Sequence, residues 1–274
     1  VSSLRYNEAK VREYREAATK LHESLSAADK RMDAAIENGD KAEAEKALAE
    51  ATASGEAFRE LRSKLKPTDL FVAKYNIQVH GPHEVSFVLP RGVSRYDMIL
   101  EAHALVAERD KRDLVYRGDL KEWGNDARFT ASCESPERIQ IDGHVKGGDG
   151  KTREQQEKFL TTKGLEQAQL EDLAAAFVAH YVATGEPLFG WYKKDSSWCF
   201  VVRAVGGALN FVSDGLLVHG LGVDFSLSNV AVASRVRSPS AKAPADKPES
   251  KKLDSRFFGS LLPWFLDPAK RGRF

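Results

Sequence analysis

Apolar positions change their spacing along the chain, and each change predicts a different element. Leu4, Val11, Ala18, Leu25 and Met32 recur every seventh residue, and Tyr14, Leu21, Ala28 and Ala35 fill a companion seam three positions later. That spacing is a coiled-coil seam. "ENGD" at 37–40 interrupts it with a helix-ending glycine, after which Ala44, Leu48, Ala51, Gly55, Phe58 and Leu65 carry an apolar stripe to Pro67. The pattern predicts an antiparallel coiled-coil hairpin over residues 1–66. Two helices alone bury little area, so the hairpin is expected to pack on the body or on another copy, as a homo-oligomer or with an assembly partner.

Residues 67–135 read as a small α/β unit. "DLFVAKYNIQVHGPHEVSFVL" holds two alternating runs around "HGPHE", a strand–turn–strand pattern. Ser94 is placed to cap a helix running from Tyr96 to Val106, and Leu114–Tyr116 fits a returning strand. From residue 136 to 237 the order is a strand "RIQIDGHV", a glycine-rich turn, a helix from Thr152 and an amphipathic helix within 165–186 ending at Gly185. Short apolar runs follow, punctuated by Gly, Asp, Ser and Asn, which predict strands. Residues 238–252 form a Pro/Ala/Ser/Lys linker, and Phe257, Phe258, Leu261, Leu262, Trp264 and Phe265 cluster behind it as a candidate docking tail. The fold class expected is α+β.

Composition narrows the function. The 274 residues carry 41 basic and 40 acidic side chains, a net charge of +1, which argues against a globally basic nucleic-acid coat. No apolar run is long enough to span a membrane and no signal peptide is visible, so the chain reads as soluble, its compartment left open. Cys133 and Cys199 read as free thiols, and nothing in the sequence sets either beside a histidine for nucleophilic catalysis.

Other candidate chemistry is weak. His80, His83 and His103 lack a nearby Cys or carboxylate at ligand spacing, and Asp142, His144 and Asp149 read as solvated turn residues more readily than as a cation site. "GKT" at 150–152 resembles the end of a phosphate loop, but that motif needs Gly where Val145 stands. Asp149 or Thr152 reads instead as a helix cap. No metal, cofactor or catalytic residue is expected.

Between Cys199 and Ala241 there is no Lys, Glu, Gln, Met or Trp in a chain that is 30% charged. Strand propensity depletes some of these types, but Ile and Thr are nearly absent there too, which strand propensity does not predict. The ordered pieces "LEDLAAAFVAHYVATGE", "LFGW", "VVRAVGGALNF" and "VAVASRVR" resemble the C-type-lectin-like domain of the formylglycine-generating-enzyme type. In that family a helix ending in a Gly turn leads to an aromatic-Gly segment, an Arg-Gly-Gly strand and a closing strand. This chain departs from the pattern: Arg203 is separated from its Gly pair, no Trp follows Gly207, and the family's catalytic cysteine pair is not evident. Enzyme activity therefore does not carry over.

The layout more closely resembles the variable proteins of diversity-generating retroelements, which use this scaffold for binding. Adenine-directed mutagenesis there acts on pyrimidine-ended codons, which cannot encode the five missing residue types. The resemblance implies ligand-facing variable positions at Asn210, Val212, Ser213, Asp214, Val218, His219, Leu221, Val223, Asp224, Phe225 and Ser226, and a protein or glycan ligand. The alternative is a non-catalytic structural subunit of a larger assembly such as a virion or an organellar complex.

Overall fold

The first two helices begin where short polar side chains take up the orphan amides of the first turn. Lys10 N–H donates to Asn7 Oδ1 at 3.0 Å to start α1 (Glu8–Glu37), and Glu43 N–H donates to Asp40 Oδ1 at 3.1 Å to start α2 (Lys41–Ser63). The computed structural model describes residues 4–189, 201–205, 207–212, 215–219 and 230–235. The helices form the expected antiparallel hairpin, joined by a turn in which Gly39 takes a positive φ of 68°.

The seam is built from small residues, as the stripe suggested, with Ala47 in the place expected of Leu48. Ala28, Ala35, Ala47 and Gly55 are buried, while Leu48 is 57% and Leu4 37% exposed. Small residues let the backbones approach closely; Tyr14 stacks on Phe58 at 4.9 Å to fill the wider end. Val11 belongs to the main core, and Arg5 N–H donates to Ala183 O at 2.7 Å, so the base of the arm is part of the body.

Residues 67–74 correct the sequence reading. Instead of a strand, Pro67–Lys74 is helix α3: Pro67 occupies the first turn, and the Asp69 carboxylate accepts from Lys66 N–H at 3.1 Å and from Asn7 N–H at 2.9 Å. A short continuous apolar run is compatible with either a buried helix or a buried strand, and here the start signal decides. The hairpin strands are β1 (Gln78–Val79) and β2 (Glu84–Leu89), with "HGPH" between them.

Ser94 caps α4 (Arg95–Asp110) in a reciprocal box with Asp97. Short helices α5 (Arg117–Trp123) and α6 (Ala127–Thr130) lead to β3 (Glu137–Asp142), α7 (Arg153–Thr162), β4 (Glu166–Gln167) and α8 (Leu170–Thr184). The amphipathic helix thus starts at Leu170 rather than Leu165, because Glu166 and Gln167 pair with a strand. Beyond it lie β5 (Val201–Ala204), β6 (Gly207–Val212), β7 (Gly215–His219), β8 (Val230–Val232) and β9 (Ser234–Arg235).

These strands make an antiparallel sheet of order β1-β2-β3-β9-β4 and a second sheet of order β7-β6-β5-β8, in which β5 and β8 are parallel. The class is α+β. The expected boundary at residue 136 does not separate two bodies: β2 pairs with β3 along its whole length, and one core runs from Val11 to Ala233. Helix α8 is the centre of that core. Every one of its residues except Glu171 is buried, which the run "LAAAFVA" permits because alanines leave room for neighbours on all sides.

Candidate functional site

The segment singled out by its missing residue types contains β5 to β9, and its described strands are tied to the body through the backbone. Leu216 N–H donates to Leu114 O at 3.0 Å, and Tyr116 N–H returns to Leu216 O at 3.1 Å. On the far side Val205 N–H donates to Ala168 O at 2.8 Å and Leu170 N–H to Val205 O at 3.1 Å. The 114–116 segment expected as a strand therefore makes an isolated bridge, Val115 to Leu216, in place of a ladder. Val202, Ala204, Ala208, Leu209 and Leu216 are buried, which fixes the hairpin β6–β7 by packing as well as by hydrogen bonds.

Four of the proposed variable positions lie in this hairpin: Asn210 is the register partner of Leu217, Val212 of Gly215, Val218 of Leu209 and His219 of Ala208. Ser213, Asp214, Leu221, Val223, Asp224, Phe225 and Ser226 lie outside the described residues, as do Cys199 and the tail residues Phe257, Phe258, Leu261, Leu262, Trp264 and Phe265. Val218 and His219 oppose buried scaffold residues, a placement that alternation along the sequence did not reveal.

The closing strand is locked by charge. Arg95, at the start of α4, donates to Asp172 Oδ1 at 2.8 Å and to Glu137 Oε2 at 2.9 Å, while Arg235 on β9 donates to Glu137 Oε1 at 2.8 Å and lies 3.4 Å from Asp172. The Asp172 side chain is 1% exposed. Burial opposes ionisation of Glu137, but Arg235 and Arg95 outweigh it and hold the carboxyl below its ordinary range. Cys133 borders the cluster, its thiol 3.6 Å from Glu137 Oε2; burial raises its pKa, the opposite of what an activated nucleophile requires. None of these ionic partners was paired in the sequence reading, because they come from four separate elements.

His83, His180 and His144 gather around the C-terminus of α8, whereas His80 lies against Ser86 and His103 against Asp113 and Val115. His83 Nδ1 lies 2.8 Å from Leu188 O and His180 Nδ1 2.9 Å from Glu186 O, so each Nδ1 carries the proton that the carbonyl accepts. His144 sits edge-on to His83 at 5.2 Å, its Nε2 2.8 Å from Asp149 Oδ1, and Asp142 Oδ1 accepts from His144 N–H at 2.9 Å. Burial pushes the Asp142 carboxyl up. No group of three or more such side chains is arranged to hold a metal among the described residues.

Thr152, not Asp149, caps α7, in a box with Gln155. Gly148 is needed for close packing, since a Cβ there would stand 2.5 Å from Val232 Cγ1. Gly185, at φ 79°, leaves room for the Arg5 guanidinium. In comparisons with known proteins, no family model, curated protein or solved structure matches the chain.

Proposed function

We propose that this protein is a non-catalytic recognition protein that displays a variable surface on a lectin-like scaffold, with Asn210, Val212, Ser213, Asp214, Val218, His219, Leu221, Val223, Asp224, Phe225 and Ser226 as the display positions for a protein or glycan ligand. The observation that carries this reading is that the window lacking Lys, Glu, Gln, Met and Trp holds strands whose backbone is pinned to the core at two points, Leu216 to Leu114 and Tyr116, and Val205 to Ala168 and Leu170. A rigid frame around replaceable side chains is what a binding surface that changes without unfolding requires.

Strand pairing supports the lectin-like part. The closing strand β9 pairs antiparallel with β3 and with β4, so the ends of the 137–235 segment meet, with α7 and α8 between them and the β5–β8 sheet following.

Deep sequencing of the gene segment for residues 199–241 across the source population tests the proposal. Substitutions confined to pyrimidine-ended codons, concentrated at 210–226 and sparing the codons for Leu209 and Leu216, are expected. A uniform segment would overturn it in favour of a fixed structural subunit.

A further inference from the structure

One face of the five-stranded sheet carries a row of polar side chains that the reading above leaves unused. Glu84 is the register partner of Asp142, Asp142 of Ser234 and Ser234 of Gln167, so residues from β2, β3, β9 and β4 stand side by side on one face. Their chain neighbours Val85, Ile141 and Ala233 point the other way, into the main core. Val232, two residues before Ser234, sets the row beside the small cluster of Val145, Leu160 and Val232.

Burial leaves this row short of partners. Ser234 is fully buried, yet its hydroxyl makes no hydrogen bond, and the buried Gln167 Nε2 makes none either. A buried polar group without a partner is costly, and two such groups side by side mark the place of something bound. The carboxylates are not neutralised. Glu84 Oε1 accepts from Gln140 Nε2 at 2.7 Å and Asp142 Oδ1 from His144 N–H at 2.9 Å, and neither has an ammonium or guanidinium partner among the described residues. Burial, and then the Glu84 charge, push the Asp142 carboxyl up, against the lowering effect of the His144 amide and of the His83 and His144 rings.

We propose that Glu84, Asp142, Ser234 and Gln167 bind a divalent cation of calcium size. The donors are two carboxylates, a hydroxyl and an amide that presents Oε1 when turned about its last bond, an all-oxygen set that suits a hard ion. Register partners stand about 5 Å apart at Cβ, so oxygens from neighbouring strands can meet one ion at about 2.3–2.6 Å. The short side chains occupy the middle of the row and the long ones its ends, which lets Glu84 and Gln167 reach inward. An ordered water fits less well: it would satisfy Ser234 and Gln167 but leave two adjacent carboxylates uncompensated. The proposal does not depend on the variable-surface reading.

The test is titration of the EDTA-treated full chain with Ca²⁺, read by calorimetry and by thermal unfolding, with K⁺ at equal ionic strength as the reference. Four chains are compared: the natural one, Asp142→Asn, Ser234→Ala, and Asp33→Asn on the exposed face of the arm as a control. Asparagine at 142 keeps an acceptor for the His144 amide, and alanine at 234 removes only an unpartnered hydroxyl, so both variants are expected to fold; circular dichroism verifies it. The natural and control chains are expected to bind Ca²⁺ saturably and to unfold at a higher temperature with it. Asp142→Asn should bind about tenfold or more weakly and Ser234→Ala about threefold or more weakly, while without Ca²⁺ the Ser234→Ala chain is at least as stable as the natural one. No saturable binding, equal binding by the natural chain and Asp142→Asn, or the same thermal shift in K⁺ would overturn the proposal.

Discussion

Arg235 and Glu137, 98 positions apart in sequence, form a 2.8 Å ion pair that fastens the closing strand to the strand that opens the C-terminal segment. Arg95 braces the same carboxylate from the other oxygen and reaches Asp172 in the core. The two arginines thus share Glu137, and both also pair with the buried Asp172.

Arg95→Met is expected to destabilise the fold by about 3–5 kcal/mol, because it strips Asp172 of its shortest partner while leaving its charge buried. Arg235, one-third exposed, contributes less: Arg235→Met should cost about 1–2 kcal/mol after allowance for solvent screening. Urea denaturation of the two variants measures both, and a loss in Arg235→Met equal to or larger than that in Arg95→Met would overturn this ranking.

Acid should loosen this junction. The Glu137 carboxyl is held below its ordinary value of 4.5, so its contribution to stability is present above that pH and is lost as pH falls through the lower folded value. The prediction is a stability that declines below about pH 4.5, with a shallower decline in Glu137→Gln. Parallel pH profiles for the two chains would refute it.

His180 predicts a second acid-sensitive window at milder pH. Burial lowers its pKa from 6.5, against the raising effect of the Glu186 carbonyl. The unfolded chain therefore takes up a proton near pH 6.5 while the folded chain does not, and stability falls as pH drops below 6.5 towards the folded value. His180→Leu should make the decline below pH 6.5 shallower, leaving the part that His103 contributes because burial lowers its pKa too, while lowering stability at neutral pH through loss of the bond to Glu186. A slope unchanged by the substitution would place its origin in another group.

Gly148 offers a packing test. An alanine methyl would meet Val232 Cγ1 at 2.5 Å and Val145 O at 3.1 Å, so Gly148→Ala is expected to cost about 1–3 kcal/mol. Val232→Ala should recover part of that loss in the double variant. Additive losses in thermal denaturation would mean the two positions do not touch.

Local signals in the sequence carried much of the secondary structure. Ser94, Thr152 and Gly185 act as helix start and stop residues because their chemistry works within a turn or two of their own position. The heptads of α1 revealed the hairpin for the same reason. The stripe of α2 placed Gly55 in the seam but also Leu48, since only the approach of the two helices shows that Ala47 faces it instead.

The sequence by itself determined the helical arm, the caps, the α+β class and the compositional boundary of the 199–241 window, all written in residues close together along the chain. Only the tertiary structure decided that residues on either side of position 136 share one sheet and core, and that Arg95, Glu137, Asp172 and Arg235 form one ionic lock. It also decided that Lys151 and Lys163 each lie against the Phe159 ring. Those outcomes depend on burial and on partners far away in sequence, and the energy of a buried charge or a close packing contact exists only once the chain has brought them together.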